Sequence, residues 1–354
     1  MRGASWALLV LSASLTQASV VEREQVTLGA LSDAAHGVFE AEVLGVEPTR
    51  VRLEVGAVLK GQVPQALWLP RGEAELAWAV GERWLVFAAH DGASWRPLAS
   101  GWQRIAGGGP AYAAAVRSRL PRLDGGDGAL QAALCDQLGA PEPRIAVDAA
   151  LDLLRFRDLT LSGGELGLVQ RAVDARPSPE LFALCARLGH PGLGASVLRA
   201  ARQLPAGDAA LRPAAAALSA GDATGAIQAL AGDLHGAELD ALRAVELLGG
   251  MGAQAHPELG AGLGDPRPAV RAATIRALAR SGVALSGAQA SALLVRVREG
   301  DAQERRLALA ALTRVGPAAF VRAVAREHPD PETRALAERL RRDPSALARR
   351  ILGE

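Results

Sequence analysis

Few residues of this sequence have the types and spacing that chemistry requires. The six histidines are scattered, and none forms the HxH, HxxxH or HExxH spacing that directs two imidazoles at one zinc ion. His36 comes nearest to a cluster, with Asp33 and Glu40 close by. Glu40, however, belongs to an alternating, strand-like segment, which separates the three side chains. The sequence therefore predicts no metal site.

Nucleophilic and phosphate-binding motifs are also missing. No GxSxG motif is present, and no serine or cysteine has a histidine that the sequence places beside it. The glycine run 107–109 leads into Pro110 rather than into the Lys-Ser/Thr pair of a phosphate loop. We therefore expect no catalytic residue and no cofactor, and we predict that the protein is not an enzyme.

The two cysteines, Cys135 and Cys185, lie in apolar segments that we expect to be helical. In an exported protein they would meet an oxidising compartment, where they could form a disulfide. They fall in different structural repeats, however, and a disulfide requires Cα atoms within about 7 Å of each other. A bonded pair and two buried free thiols both remain consistent with the sequence.

Residues 1–18 have the pattern of a secretory signal peptide. Arg2 supplies the positive start, residues 6–11 form a short apolar run, and small residues end at Ala18, where we expect cleavage. A buried N-terminal helix is the alternative. No later stretch approaches the roughly 18 unbroken apolar residues of a membrane span. We expect a soluble bacterial protein exported to the periplasm or beyond the cell.

We predict a separate β domain over residues 19–106. Every tryptophan after the signal peptide lies in this range, so its composition differs from that of the rest of the chain. Period-two alternation at 39–43 and 51–55, and a buried run at 84–89, predict five or six short strands in a small barrel or sandwich. Trp78, Trp95 and Trp102 lie near predicted turns, where they could stack on a ligand. Packing in or near the core is the alternative.

Two short motifs give this domain a family resemblance. Ala-Val-Leu-Lys-Gly at 57–61 and Val-Gly-Glu-Arg-Trp-Leu-Val-Phe at 80–87 resemble motifs of bacterial netrin-like domains, the metalloproteinase-inhibitor-like type of OB barrel. The resemblance covers roughly residues 24 to 106 and implies an OB-like β barrel. The animal inhibitors act through an N-terminal disulfide-bonded cysteine, which this domain lacks, so the resemblance implies the fold only.

Residues 107–128 predict a Gly-rich linker that contains one short helix. From 129 to 354, helical segments alternate with breakers in units of about thirty residues, and taken in pairs they give about seven units. The copies at 264–273, 300–310 and 329–337 resemble HEAT repeats. That resemblance implies a right-handed α-solenoid.

Charged residues recur at the turns of these repeats. Asp265 and Arg271, and likewise Asp301 and Arg306, could form a ladder of ligand contacts. The alternative, which we favour, is structural: the aspartate caps the second helix of the repeat, and the arginine reaches the neighbouring repeat.

The chain carries a net charge of +1, yet the region from Asp265 onward is rich in arginine. A basic face could bind an anionic polymer, an acidic protein or a nucleic acid, whereas solvated helix faces are the simplest alternative. The export signal and the missing lysine–aromatic interleaving argue against nucleic acid. We predict contacts with a partner on the concave face formed by the second helices, at Arg271, Arg298, Arg305 and Arg334.

The sequence thus predicts an exported, non-catalytic protein-interaction or scaffold protein, with the partner and the oligomeric state left open. One alternative is an inhibitor or regulator of an exported hydrolase that acts through the β domain. Another is an enzyme, for example a lyase, because some HEAT-like families modify cofactors. The missing catalytic motifs argue against it.

Overall fold

The computed structural model describes residues 26–71, 78–104, 109–123 and 126–353, so the predicted signal peptide lies outside the described residues. The chain divides into two compact units, Met1–Val116 and Arg117–Glu354. The boundary falls within a helix inside the segment 107–128 that we predicted as a linker. The first unit is mainly a β-sheet, and the second is helical.

The first unit contains helix α1 (Leu28–Ala34) and one antiparallel sheet. Its strands are β1 (Gly37–Val46), β2 (Arg50–Lys60), β3 (Ala66–Pro70), β4 (Arg83–His90) and β5 (Trp95–Arg104). They lie in the order β3-β2-β1-β4-β5. The alternation seen in the sequence is confirmed in β2, where Val51 and Leu53 are buried and the intervening Arg52 is exposed.

The sheet does not close into the predicted OB-like barrel. The edge strands β3 and β5 approach each other, but no hydrogen-bonded ladder joins them within the described residues. The strand β3 has only five residues and ends at Pro70, which has no backbone N–H to donate. The structure therefore corrects the prediction to a small, open five-stranded antiparallel sheet.

The Leu-Lys-Gly motif has a structural explanation at the end of β2. The Lys60 ammonium donates to the carbonyl oxygens of Ser32 at 2.7 Å and Asp33 at 3.4 Å, which lie in the last turn of α1. Gly61 has φ = 77°, and a Cβ atom there would lie 2.0 Å from the carbonyl oxygen of His36. Only glycine satisfies both requirements at this turn.

The second unit continues from α2 as a series of helices. They are α2 (Gly109–Leu123), α3 (Asp127–Gln137), α4 (Pro143–Arg155), α5 (Gly163–Ala175), α6 (Pro179–Leu188), α7 (Gly194–Ala201), α8 (Leu211–Ala220), α9 (Ala223–Asp233), α10 (Glu238–Gly250), α11 (His256–Ala261), α12 (Pro268–Ser281), α13 (Gly287–Glu299), α14 (Ala302–Val315), α15 (Ala318–Glu327), α16 (Pro331–Arg342) and α17 (Pro344–Leu352).

These helices form a paired repeat within the described residues. From α3 to α16 each odd-numbered helix packs on the even-numbered helix that follows, which gives seven pairs. Each even-numbered helix from α4 to α14 also packs on the next even-numbered one, so the second helices form a continuous layer. One core, built mostly of alanine, leucine and valine, runs from Leu134 to Leu352. The helical-repeat prediction is confirmed.

A buried ion pair fastens the end of α2 to the first helix pair. Arg119 is 1% exposed, and its guanidinium donates to Asp152 in α4 at 2.7 Å and to Gln137 in α3 at 2.6 Å. Asp152 also accepts from Arg155 at 3.2 Å. A buried charge is costly unless it is paired, and this ion pair joins α2 to both helices of the first pair.

The final helix, α17, packs on α14 and α16. In α12 the solvent-facing positions Ala273 and Arg276 are partly exposed, whereas the equivalent Leu307 and Ala310 of α14 are buried. Because α17 lies against α14, we attribute this additional burial to α17. The helix therefore covers α14 at Leu307 and Ala310 and leaves Arg306 exposed.

Candidate binding surface on the C-terminal helix pairs

Three of the predicted contact residues occupy equivalent positions in successive second helices. Val270, Glu304 and Thr333 are buried near the starts of α12, α14 and α16. Arg271, Arg305 and Arg334 each follow one of these residues and are partly exposed. The repeat therefore aligns the three arginines, and their partners show what they do.

Arg271 is held by its own turn and by the next repeat. Its guanidinium donates to both carboxylate oxygens of Glu304, at 2.7 and 3.2 Å, and to the carbonyl oxygens of Asp265 and Pro266, both at 2.9 Å. The hydrogen bond to Glu304, ahead of the attraction of nearby acids, raises the pKa of Arg271. This side chain joins two repeats.

Arg334 makes the same kind of turn contact, donating to the carbonyl oxygens of His328 and Pro329. Arg305 lies 4.0 Å from a carboxylate oxygen of Asp330, which starts the next second helix. Like Arg271, these guanidinium groups are directed at the protein's own turns. The structure gives the three arginines structural contacts.

Asp301 caps a second helix, as the structural alternative requires, whereas Asp265 bonds within its turn and α12 begins at Arg267 without a side-chain cap. Asp301 accepts from the amide of Glu304 at 2.8 Å and starts α14. Asp265 accepts from the amide of Arg267 at 2.8 Å. The hydrogen bond from the Arg267 side chain, the largest cause, lowers the pKa of Asp265. Arg267 also donates to the carbonyl oxygens of Leu234 and Gly236 in the preceding turn.

Arg306 and Arg298 lie elsewhere than predicted. Arg306 is exposed and forms no ion pair within the described residues, because Arg305 occupies the position equivalent to Arg271. Arg298 is exposed in the last turn of α13, a first helix. The structure therefore does not bring Arg298 into the layer of second helices that carries the other three.

A different set of arginines faces solvent on the second helices. Arg276 and Arg280 lie on the solvent side of α12, Arg306 on that of α14, and Arg339 on that of α16. Their guanidinium groups form no ion pair among the described residues; Arg280 donates only to a carbonyl oxygen of its own helix. We call these four residues the second-helix row. Residues 265–354 contain 17 arginines against 10 acidic residues.

The sequence signal for this row is the spacing of four residues along an amphipathic helix, as in Arg276 and Arg280. The sequence analysis selected the turn arginines instead, because their recurrence in the repeat motif was more visible. Only the contacts of the folded chain separate arginines that bond the turns from arginines that face solvent.

Trp78 and Trp95 pack in or near the core of the β unit, which is the alternative to a stacking platform. Trp78 is 8% exposed and packs on the buried Trp84, with ring centroids 4.3 Å apart. Trp95 is half-buried, with its ring against Gly37 and 4.8 Å from His90. Trp102 lies in β5. An exposed indole that the sequence analysis missed is Trp68 of β3, with the Arg50 guanidinium 4.3 Å from its ring.

Cys135 and Cys185 are free and buried, which is the second of the alternatives that the sequence left open. Burial, the largest cause for both, raises the pKa of each thiol to about 12. Neither side chain is therefore a thiolate near neutral pH.

His256 lies near a hydroxyl but does not activate it. Its Nε2 atom is 3.3 Å from Oγ of Ser281, and that hydroxyl donates to the carbonyl oxygen of Leu278 at 2.8 Å. Because the Ser281 hydroxyl already donates its proton to Leu278, the contact with His256 only ties α11 to the end of α12.

Across the described residues, no group of three metal-ligating side chains converges, and no helix is long and apolar enough to cross a membrane.

Comparison with known proteins identifies solved structures but no family. No family model and no curated protein matches the chain. Fourteen chains of solved structures match. One comes from "The structure of the complex of CpcE and CpcF of phycocyanin lyase from Nostoc sp. PCC7120", with 18% identity and a TM-score of 0.33. The match covers 63% of this chain and 92% of that one.

This comparison corrects one prediction. We predicted from missing motifs that the chain is not an enzyme, but the matched structure is that of a complex of phycocyanin lyase. The exclusion was therefore wrong, since an array of paired helices without recognisable catalytic motifs is not evidence against catalysis. At this identity and TM-score, the likeness assigns no activity to this chain.

Proposed function

We propose that this protein binds a protein partner through the second-helix row, and that the partner presents an acidic surface there. The observation that carries the proposal is that the arginines of the second helices fall into two groups with different surroundings. The turn arginines Arg271 and Arg334 are held by backbone carbonyls, whereas Arg276, Arg306 and Arg339 face solvent on successive second helices.

The charge and the architecture support the same function. The last three pairs carry an excess of arginine, while the chain as a whole is close to neutral. A basic strip on a rigid array of helices favours an acidic partner by long-range attraction and by bidentate contacts with carboxylates. Helical arrays commonly use such extended surfaces for binding.

A charge-reversal experiment tests this function. The chain with Arg276→Glu, Arg306→Glu and Arg339→Glu changes the second-helix row. A control with Arg298→Glu, Arg322→Glu and Arg326→Glu has the same net charge but changes exposed residues of the first helices α13 and α15. Each purified chain is immobilised, exposed to extract of the cells that produce it, and the retained proteins are identified by mass spectrometry.

We expect an acidic protein that is retained by the unchanged chain and by the control, and lost by the second-helix variant. Retention should also weaken as salt rises from about 0.05 to 0.5 M, because exposed charges are screened. Equal retention by both variants, or no specific partner for any chain, contradicts the proposal.

We also propose that the β unit is an open variant of the OB-type domain that its motifs resemble. Its strand order supports this, together with the approach of β3 to β5 and the structural roles of Lys60 and Gly61. The exposed pair of Trp68 and Arg50 gives this unit a second candidate contact surface.

Export is a further part of the proposal, supported by the signal-like pattern of residues 1–18. Expression of the chain with and without these residues, followed by fractionation and N-terminal sequencing, tests it. We expect the longer chain outside the cytoplasm with a new N-terminus after Ala18. An uncleaved chain in the cytoplasm contradicts this part alone.

A further inference from the structure

The buried ring of His328 lies where three helices meet. It follows α15, precedes α16 and contacts the last turn of α13, and the residue is only 5% exposed. Its Nε2 atom lies 3.1 Å from the carbonyl oxygen of Val297, and its Nδ1 atom lies 3.1 Å from the backbone nitrogen of Asp330. Both ring nitrogens are therefore engaged with backbone groups.

These two partners specify the protonation state of the ring. A carbonyl oxygen only accepts, so Nε2 must carry a proton in order to bond to Val297. A backbone amide only donates, so Nδ1 must be bare in order to accept from Asp330. The turn is thus built around the neutral ring in one tautomer. A second proton, on Nδ1, sets two N–H groups against each other.

The contact at Nδ1 holds the start of α16. Asp330 caps this helix, because its carboxylate accepts from the amides of Glu332 and Thr333, both at 3.2 Å. The carbonyl oxygen of His328 accepts from the guanidinium of Arg334, which lies in the same helix. Loss of the bond from the Asp330 amide therefore loosens a turn that positions both the cap and the first turn of α16.

The charged groups at this turn give little help to a second proton on the ring. The hydrogen bond from the Thr333 hydroxyl, the largest cause, lowers the pKa of Asp330, so this carboxylate is ionised while histidines titrate. Its oxygens are already bonded to α16, and Arg305 of α14 lies 4.0 Å away. Arg334 adds a second cation. The ends of α15 and α13 carry exposed pairs of opposite charge: Arg326 with Glu327, and Arg298 with Glu299.

We propose that the turn at His328 is a pH-sensitive switch, in which protonation of the ring opens the contact between α15 and α16. The charged ring moves to water, and the Asp330 amide loses its acceptor. The last helix pair and α17 then loosen, while the earlier pairs keep their packing. Arg339 of the second-helix row lies on α16, so acid also disturbs the proposed partner surface. That last consequence alone rests on the proposed function.

Hydrogen–deuterium exchange of the intact chain at pH 7.5 and pH 5.5 tests the switch, with exchange times scaled for the effect of pH on unprotected amides. The test variant is His328→Asn, which keeps an acceptor near the position of Nδ1 but takes up no proton. The control is His190→Asn. The Nδ1 atom of His190 also accepts from a backbone amide, that of Gly192 at 3.1 Å, but at an exposed turn after α6.

We expect α16 to exchange about tenfold faster at pH 5.5 than at pH 7.5 in the unchanged chain and in the control. The lower pH lies about one unit below the ordinary pKa of histidine, which the ring regains when the turn is open. In His328→Asn the two rates should be equal, and α8 should show no change in any chain. No pH effect on α16 in the unchanged chain, or the same effect in His328→Asn, overturns the proposal.

A second measurement covers the case in which His328→Asn opens the turn at both pH values. The 15N NMR signals of the His328 ring in the unchanged chain report its tautomer and charge. We expect a neutral ring with the proton on Nε2 at pH 7.5 and a charged ring at pH 5.5. The other tautomer at pH 7.5, or a ring still neutral at pH 5.5, overturns the proposal. Neither measurement uses a partner, so failure of the proposed function leaves both results intact.

Discussion

At the scale of single residues, the arginines of the repeat turns show how one side chain can join two structural units. The guanidinium of Arg271 bonds to two carbonyl oxygens of its own turn and to a carboxylate of the following pair. Glu304, the carboxylate partner, is only 6% exposed. The planar guanidinium has five N–H donors and can bond to these carbonyl and carboxylate oxygens at the same time. A lysine ammonium cannot make the same set of contacts.

The first prediction separates this structural role from ligand binding. Arg271→Ala removes both hydrogen bonds to the buried Glu304 and leaves it only the Arg296 guanidinium, 4.0 Å away, so we expect it to lower the free energy of unfolding of the helical unit by about 3 kcal/mol. Arg298→Ala, at an exposed position, should change it by less than about 0.5 kcal/mol. Denaturant unfolding followed by circular dichroism at 222 nm measures both. Equal effects would contradict the structural role.

The second prediction concerns Gly61 of the β unit. Gly61→Ala places a Cβ atom against the carbonyl oxygen of His36 and requires a left-handed backbone, so we expect a loss of about 3 kcal/mol. Gly92 also has positive φ but open space around it, and Gly92→Ala should cost only about 1 kcal/mol. Tryptophan fluorescence during urea unfolding measures the difference. A larger loss for Gly92→Ala would refute this explanation of the motif.

We expect the free energy of unfolding to depend on pH through His256. Burial lowers the pKa of His256, so the folded protein favours the neutral ring. Its contribution is complete above the unfolded value of about 6.5 and is lost as pH falls through the lowered folded pKa. We expect this loss below about pH 6.5, at no more than about 1.4 kcal/mol per pH unit.

The measurement compares urea unfolding at pH 7.5 and pH 5.5. His256→Gln should remove part of the pH dependence. His235→Gln, at an exposed position without a bonded partner among the described residues, should leave it unchanged. If both variants keep the full dependence of the unchanged chain, His256 is not the group responsible.

At the scale of elements, α17 determines how much of α14 meets solvent. Removal of residues 343–354 should uncover Leu307 and Ala310, which are buried although their equivalents in α12 are partly exposed. Because helical arrays are stabilised by neighbouring contacts, we expect faster amide hydrogen exchange in α14 and α16. Exchange in α8 should remain unchanged. Unchanged exchange in α14 would show that α17 does not cover it.

The sequence predicted these elements unequally well. The alternating residues of β2 and the breakers between helices are local signals, so the strands and the seven helix pairs followed from them. Closure of the sheet depends on the contact between β3 and β5, which are far apart in the chain, and no local pattern encodes it. Trp68 shows the same difference, because only the register of β3 against β2 places its side chain outward.

At the scale of the whole molecule, the division into two units predicts separate unfolding transitions. Every tryptophan after residue 18 lies before residue 103, whereas most helices lie after residue 116. Fluorescence therefore follows the β unit, and circular dichroism at 222 nm follows mainly the helical unit. We expect the two unfolding curves of the intact chain to have different midpoints. Coincident curves would indicate a single cooperative unit.

The function was harder to predict than the fold, for a physical reason. Turn arginines such as Arg334 and solvent-facing arginines such as Arg339 have the same chemistry and similar spacing in the sequence. The carbonyl oxygens that bind Arg334 become its neighbours only when the helices pair. The candidate surface therefore depends on tertiary contacts, which the repeat pattern alone does not specify.

Lys60 is the only lysine of the chain, and its ammonium is bonded to the last turn of α1. Reagents that attack primary amines thus find one side chain and the N-terminus, and a reaction at that side chain competes with the bonds that hold α1. Amine-directed crosslinkers would report almost nothing about the helical unit. A lysine-specific protease has a single cleavage point, between β2 and β3. Photoreactive or carboxylate-directed reagents are the appropriate means of trapping a partner on the helices.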